Sequence, residues 1–228
     1  MKKSRQLKIA TIMNQNSYAG REYLSRLKEF NIDVITIGEH PENDKDEDER
    51  CGHLWSPPTE KELQQTFNFY NFNTLSCLDL LDFLTSQRYD LGIQGGTGIL
   101  KKDIIETFSL GILNFHPGDL PEYRGCSAPE WQLFEGKKIR STAHLIDEGI
   151  DSGDIIAKKT LNTNLSSYNE FRASIYPETA KFVKIIIKKL IDSPEILNQA
   201  YKQNEDKAHY REYIGNQKII QIKEGLGN

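Results

Sequence analysis

Cysteine is scarce in this chain of 228 residues, which holds only Cys51, Cys77 and Cys126. An odd, sparse set argues against a disulfide scaffold and suits a reducing compartment, so the cytoplasm is the expected location. Long apolar runs are lacking too. The greasiest segment, Lys184-Ile-Ile-Ile-Lys-Lys-Leu-Ile191, is interrupted by lysines and falls short of the ~20 residues that span a bilayer. The basic start, Met1-Lys-Lys-Ser-Arg-Gln6, leads only into Leu7 to Met13, with no small-residue cleavage site behind it. Neither a signal peptide nor a membrane partner is expected. Excess positive charge is missing: the formal net charge is −4, which gives no support for bulk electrostatic binding of nucleic acid. Cys51-Gly-His53 has no second pair at ligand spacing, so it reads better as a surface loop beside a strand than as half a metal site; no metal is expected. The turn after the first apolar run, Asn14-Gln-Asn-Ser17, lacks glycine, which removes the G-x-G-x-x-G nucleotide fingerprint.

What is present describes an ordinary globular protein, with 37% hydrophobic and 27% charged residues and a length that suits one α/β domain with an appendage. Leu7 to Met13 and Ile32 to Ile37 read as strands around a helix from Tyr18 to Phe30, a βαβ unit that implies a parallel sheet. The charge-rich stretch Glu39 to Glu60 reads as a mobile solvated loop or as a lid, with Trp55 either packing or stacking on a base or sugar. Helices are predicted over Thr59 to Phe69, Leu75 to Gln87, Lys101 to Phe108 and Ala128 to Glu135. Strands are predicted over Tyr89 to Gln94, Leu110 to Leu113, Ser141 to Ile146 and Asp154 to Leu161, with Pro117 to Gly125 as a turn-rich connector. A long amphipathic helix from Ser167 to Ile191 is capped by Ser167 with Glu170, and Pro177 is expected to break or kink it. Residues 1–192 then form the main domain. Residues 193–228 are a polar extension that packs on it or on a second subunit.

The chemistry-bearing residues cluster around one strand end. Asn114 and His116 sit two apart after the apolar run, so extended backbone puts both on one face, at the carboxyl end of a strand where open α/β sheets place ligands. The strand from Ser141 leads into the acidic turn Asp147-Glu-Gly-Ile-Asp151-Ser-Gly-Asp154, which can bring Asp151 to the imidazole. His144 reads as a satisfied core histidine, and Cys126 as a buried structural thiol, since a nucleophile needs its own base. Gly95-Gly-Thr-Gly98 reads as a tight turn or as a place of close backbone approach to a flat ligand.

Asn114-Phe-His116-Pro, Leu120-Pro-Glu-Tyr-Arg-Gly125, and His144 followed by Asp151 in its acidic turn resemble the folate-dependent formyltransferases. That family includes the glycinamide ribonucleotide, methionyl-tRNA and nucleotide-sugar N-formyltransferases; the resemblance covers roughly residues 88–160. It implies a Rossmann-like formyltransferase fold, a mostly parallel twisted sheet flanked by helices, with a short C-terminal extension. It implies Asn114, His116 and Asp151 as the catalytic trio, places the position of His144 near the site, and implies 10-formyltetrahydrofolate as co-substrate. Gly96, Thr97, Gly98, Ile99 and Leu100 would form the folate loop, with Asp147, Glu148 and Gly149 beside it. The connector and the Glu130-Trp131 pair are most similar to the nucleotide-sugar members. The implied acceptor is a nucleotide-linked amino sugar, such as a dTDP-amino-dideoxyhexose of lipopolysaccharide O-antigen synthesis, met by Asn14, Trp55, Tyr123 and Arg124. Arg124 reads equally as a phosphate contact or as a surface partner of Glu122 or Glu130. The turn at Asn14 lacks the phosphate loop of glycinamide ribonucleotide formyltransferases, and the stretch after Pro194 is too short for the extra domain of the methionyl-tRNA enzymes. Members of the family often pair, so a homodimer is among the expectations. A folate- or nucleotide-binding module without catalysis is the alternative from another class.

Formyl transfer is acyl transfer, and the trio suits it. Asn114 offers an amide donor to the oxyanion, a contact worth ~3 kcal/mol of barrier. His116 takes the proton that the attacking amine loses, and Asp151 holds the imidazole and favours its cation. The amine is itself the nucleophile, so no covalent intermediate is needed. Replacing His116 by Asn is expected to slow formyl transfer in a coupled folate assay by roughly 10²–10⁴-fold; an unchanged rate would remove the imidazole from the mechanism.

Overall fold

The computed structural model of the protein describes residues 6–39 and 41–227; the basic residues 1–5 and His40 lie outside the description, as do the side chains of residues 39 and 41–45. In chain order the elements are β1 (Ile9–Gln15), α1 (Tyr18–Arg26), β2 (Ile32–Glu39), α2 (Pro41–Arg50), α3 (Glu60–Leu63), β3 (Asn68–Phe72), α4 (Leu78–Gln87), β4 (Leu91–Gln94) and α5 (Lys102–Ile105). There follow β5 (Ile112–His116), β6 (Arg124–Gly125), α6 (Ala128–Phe134), β7 (Arg140–Leu145), β8 (Ile155–Thr160), α7 (Tyr168–Asp192), β9 (Tyr210–Arg211) and α8 (Asn216–Gly225).

Ile9 to Met13 are buried in unbroken succession. A run without polar alternation needs cover on both faces, which a central parallel strand receives. β1 accordingly sits inside a seven-stranded sheet of order β3-β2-β1-β4-β5-β7-β8. The first five strands are parallel, and β7 and β8 run antiparallel to close the sheet. Alternate side chains serve opposite faces. Ile9 and Met13 meet Leu24, Leu27, Val183 and Ile187 of α1 and α7, whereas Ala10 and Ile12 meet Leu80, Leu84 and Ile104 of α4 and α5. This is the mostly parallel, helix-flanked α/β architecture that the sequence implied. The strand order reverses between β1 and β4, and there α1 presses on the sheet so closely that a Cβ on Gly20 would lie 2.5 Å from the Gly95 carbonyl.

Four expectations need correction. The stretch after Glu39 is not a solvated loop, because it begins with α2, whose Glu47 is buried and takes a hydrogen bond from Arg172. Thr59 to Phe69 is not one helix. Thr59 caps the short α3 through a capping box with Glu62, and Asn68–Phe72 adds an edge strand whose Asn71 accepts from the Thr36 hydroxyl. Pro177 does not break α7, which runs unbroken because Ile175, Ala180, Phe182, Val183, Ile186, Ile187 and Leu190 bury its flanks; one lost N–H donor is outweighed by that packing. The cysteines exchange places: Cys51 is buried at the end of α2, while Cys126 is exposed.

A charged network ties three helices together behind the sheet. Glu130 of α6 is fully buried and accepts from Arg172 (3.1 Å), from Arg50 (2.8 Å) and from the Tyr168 hydroxyl (3.3 Å). Burial alone would raise its carboxyl, but the two guanidinium groups outweigh burial and hold it below the ordinary range. Beyond the network, Ile214 and Ile222 of the C-terminal stretch pack on Phe171 and Ile175. Removing one partner of a buried ion pair strands the others. Arg172→Leu is therefore expected to cost ~3–5 kcal/mol in urea unfolding, against roughly 1 kcal/mol for Ile175→Val in the same helix. Equal losses would mean that the network adds nothing beyond packing.

Candidate active site

β5 ends in Asn114-Phe-His116, and its antiparallel pairing with β7 sets Asn114 opposite His144 and His116 opposite Thr142. The turn after β7 carries Asp151 back to this point with a positive φ of 52°. Gly153 makes that return feasible, since a Cβ there would sit 1.9 Å from the Leu145 carbonyl. The structure thus brings Asn114, His116 and Asp151 together, and adds His144. The Asn114 amide donates to Asp151 Oδ1 (3.3 Å) and faces His144 Nε2 at 3.1 Å. His144 Nδ1 lies 2.9 Å from the Leu145 carbonyl. A carbonyl only accepts, so Nδ1 carries the proton, and Nε2 is left to accept from Asn114.

The same logic fixes His116. Its Nε2–H donates to the Tyr123 carbonyl at 2.6 Å, which leaves Nδ1 as the basic nitrogen, 3.4 Å from Asp151 Oδ2. The sequence assigned the orienting of this ring to Asp151; in the structure the hydrogen bond that orients it comes from the Tyr123 backbone. Asp151 stands where a proton on Nδ1 would meet a negative charge. Burial pushes the imidazole below its ordinary value more strongly than Asp151 and the Tyr123 carbonyl raise it, so the ring rests neutral and ready to accept. For Asp151, burial would raise the carboxyl, yet His116, His144 and the Gly125 N–H (2.9 Å) together hold it well below the carboxylate range. Even beside a neutral ring it keeps the Gly125 and Asn114 donors, so its charge stands.

Two cavities open beside this cluster. One, of about 220 Å³, is lined by Asn114, His144 and Asp151 together with Thr97, Gly98, Ile99, Leu100, Asp147 and Gly149. His116 lies just behind that lining. The other, of about 320 Å³, lies at the strand-order switch, between the β1–α1 turn and α2. Asn14, Ser17, Asp46, Glu47, Arg50, Gly96 and Tyr176 are among its lining residues, and Thr97 belongs to both cavities. Open α/β sheets bind ligands at such a switch.

The remaining residues singled out in the sequence are placed less directly. Glu148 turns outward to Lys102 at 3.3 Å. Trp55 packs edge-on against Tyr18 and near Tyr176, backing the wall of the second cavity. The Tyr123 phenol donates to Glu135 (2.6 Å), away from the trio, and only its carbonyl reaches the site. Arg124 meets neither Glu122 nor Glu130. Its guanidinium donates to Gln203 and Glu205 of the C-terminal stretch. Sequence reasoning missed the Tyr123 carbonyl and Gln203, whereas the place of His144 beside the site agrees with what the resemblance implied. The carbonyl is a backbone group that any residue supplies, and Gln203 lies far along the chain.

Comparison with known proteins bears on what this geometry serves. A family model described as formyl transferase matches residues 7–167. Methionyl-tRNA formyltransferase of Clostridioides difficile (strain 630) is 28% identical over 141 residues, 61% of this chain and 45% of that protein. The chain thus spans less than half the length of that curated relative. Among solved structures, a 4-N formyltransferase from Francisella tularensis aligns with a TM-score of 0.60 at 18% identity, over 91% of this chain and 77% of that one. An N-formyltransferase from Helicobacter canadensis, in complex with folinic acid and dTDP-3-aminofucose, aligns with a TM-score of 0.61 at 18% identity, over 90% and 70%. At such identities the likeness is one of fold.

The depressed His116 has a consequence for stability. The unfolded ring titrates at roughly 6.5, so below that pH the unfolded chain binds a proton that the folded chain refuses. Stability therefore rises with pH up through this window and levels off above it. His116→Gln is expected to flatten that rise in urea unfolding measured between pH 5 and 8, and an identical slope in both proteins would contradict the burial of an uncharged ring.

Proposed function

The chain belongs to the formyl transferase family, and we propose that it moves a formyl group from 10-formyltetrahydrofolate to the amine of a nucleotide-linked amino sugar. The observation that carries the reading is the convergence of Asn114, His144 and Asp151 on the smaller cavity, with His116 directly behind. Ile99 (70% exposed) and Ile150 (45% exposed) flank that cavity with apolar surface, which suits a flat ring, while the backbone of the 97–100 loop offers polar groups at its edge. The larger cavity takes the acceptor. Asp46 and Glu47 in its lining draw a protonated amine, and Arg50 supplies charge for a phosphate.

The reaction follows from these positions. The amine lone pair forms the new C–N bond at the formyl carbon, and the carbonyl oxygen takes the negative charge. In the resting site both amide hydrogens of Asn114 are engaged, by His144 and Asp151. One of them turns to the oxyanion. The proton lost by the amine goes to Nδ1 of His116, where Asp151 lies 3.4 Å away and stabilises the cation. Collapse of the intermediate then breaks the bond to the folate nitrogen, which takes the proton from the His116 imidazolium as it leaves and returns the ring to its neutral form. Methionyl-tRNA is the acceptor of the curated relative, and it is the competing reading here. The net charge of −4 supports the sugar, since phosphate backbones are bound through lysine and arginine.

Asn114→Ala is expected to lower kcat by roughly 10²–10³-fold. A panel of dTDP- and UDP-linked amino sugars, methionyl-tRNA and glycinamide ribonucleotide, each incubated with 10-formyltetrahydrofolate, identifies the acceptor. Formylation of the tRNA or the ribonucleotide alone would overturn the sugar.

A further inference from the structure

His116 and Asp151 are held by two loops, and both loops are tied to the same distant segment. The first loop supplies the Tyr123 carbonyl to His116 and the Gly125 N–H to Asp151. The second carries Asp151 itself. Neither loop is stiff by its own chemistry: Gly125, at a φ of 90°, leaves the first loop conformationally free, and Asp151, a non-glycine residue at a φ of 52°, holds a conformation that needs outside support.

That support comes from residues 201–211. β9 pairs in parallel with β6, matching Arg124 to Tyr210 and Gly125 to Arg211. His209 accepts from the Arg124 N–H at 3.0 Å, and Arg211 accepts from the Cys126 N–H at 2.8 Å. A Cβ on Gly125 would stand 2.4 Å from the Arg211 carbonyl, so the fit leaves no slack. On the other side, Tyr201 and Ile155 exchange backbone hydrogen bonds of 2.9 and 3.0 Å just beyond the Asp151 turn.

Gln203 joins the two halves. The residue is 8% exposed, and the polar capacity of its carboxamide is spent on these loops. Nε2 donates to the Asp151 carbonyl and to the Gly153 carbonyl, both at 2.8 Å. Oε1 accepts from Nε (3.0 Å) and Nη2 (2.9 Å) of Arg124. Glu205 anchors the same guanidinium from its outer side at 2.7 Å. A single side chain thus links the backbone of the acid to the arginine beside the two backbone groups that hold the acid and the base. No charged substrate group is needed to explain Arg124, and no other part of the chain spans the two loops in this way among the described residues.

We propose that Gln203 is a positioning residue for the site, holding Asp151 within reach of His116 by clamping the Asp151 turn to the Arg124 loop. The inference takes from the proposed function only that His116 and Asp151 work as a pair. Asp151 and His144 are the titratable groups acting on His116, and Asp151 raises its affinity for a proton. Loosening the clamp lets Asp151 move away, and the His116 titration then falls.

The test follows that titration by NMR in the full chain with isotopically labelled histidine, so that it needs no substrate. Gln203→Met keeps length and neutrality and removes all four hydrogen bonds. It is expected to lower the His116 titration point by at least about half a pH unit and to cut kcat roughly 10–100-fold, with little change in KM for the folate. Gln203→Asn retains a carboxamide too short to reach both loops; it is expected to shift the titration in the same direction, and serves if the Met variant does not fold. An unmoved titration in a folded variant overturns the clamp, whatever happens to thermal stability. A shifted titration in an enzyme that formylates no amine leaves the clamp standing and removes the proposed function instead.

Discussion

A carboxylate kept charged in an almost closed site is the constraint to which the rest of this structure answers. Asp151 loses most of its water, and an unpaired anion there would cost several kcal/mol. It accepts from the Gly125 N–H and the Asn114 amide, and the imidazoles of His116 and His144 stand 3.4 and 3.6 Å from it. These groups come from the end of β5, from the loop at β6 and from β7. One charge therefore fixes the mutual positions of three segments that lie far apart in sequence. The geometry of a base with a nearby anion follows from satisfying that charge.

A second charged cluster does comparable work on the other side of the larger cavity. Glu47, Arg50, Glu130 and Arg172 connect α2, α6 and α7. Such a network gives little net stability against an apolar core of the same shape. It does fix where Arg50 and Glu47 stand, and both line the cavity assigned to the acceptor.

Much of this was legible in the residues. The unbroken apolar run from Ile9 to Met13 announces a central strand, and the spacing of Asn114 and His116 announces two polar groups at a strand end. The 97–100 loop follows from its glycines only with the help of a resemblance. What stayed hidden has physical causes. Asn68–Phe72 alternates too weakly to be told from helix, because an edge strand is only half covered. Glu47 and Arg50, inside a charged run, look solvated until their partners in α6 and α7 are known. Tyr123 acts through its carbonyl, which no side chain advertises, and the partners of Arg124 lie some eighty residues further on.

The pairing of β6 with β9 also sets an order of events during synthesis. Domains form from the amino terminus as the chain emerges, and the strands from β1 to β5 can assemble early. The loops that carry Tyr123 and Asp151 stay unclamped until residues 203–211 have left the ribosome. A nascent chain can thus acquire its sheet and its cavities while Asp151 and His116 are still out of register. The two loops come into register only after the sheet that carries them.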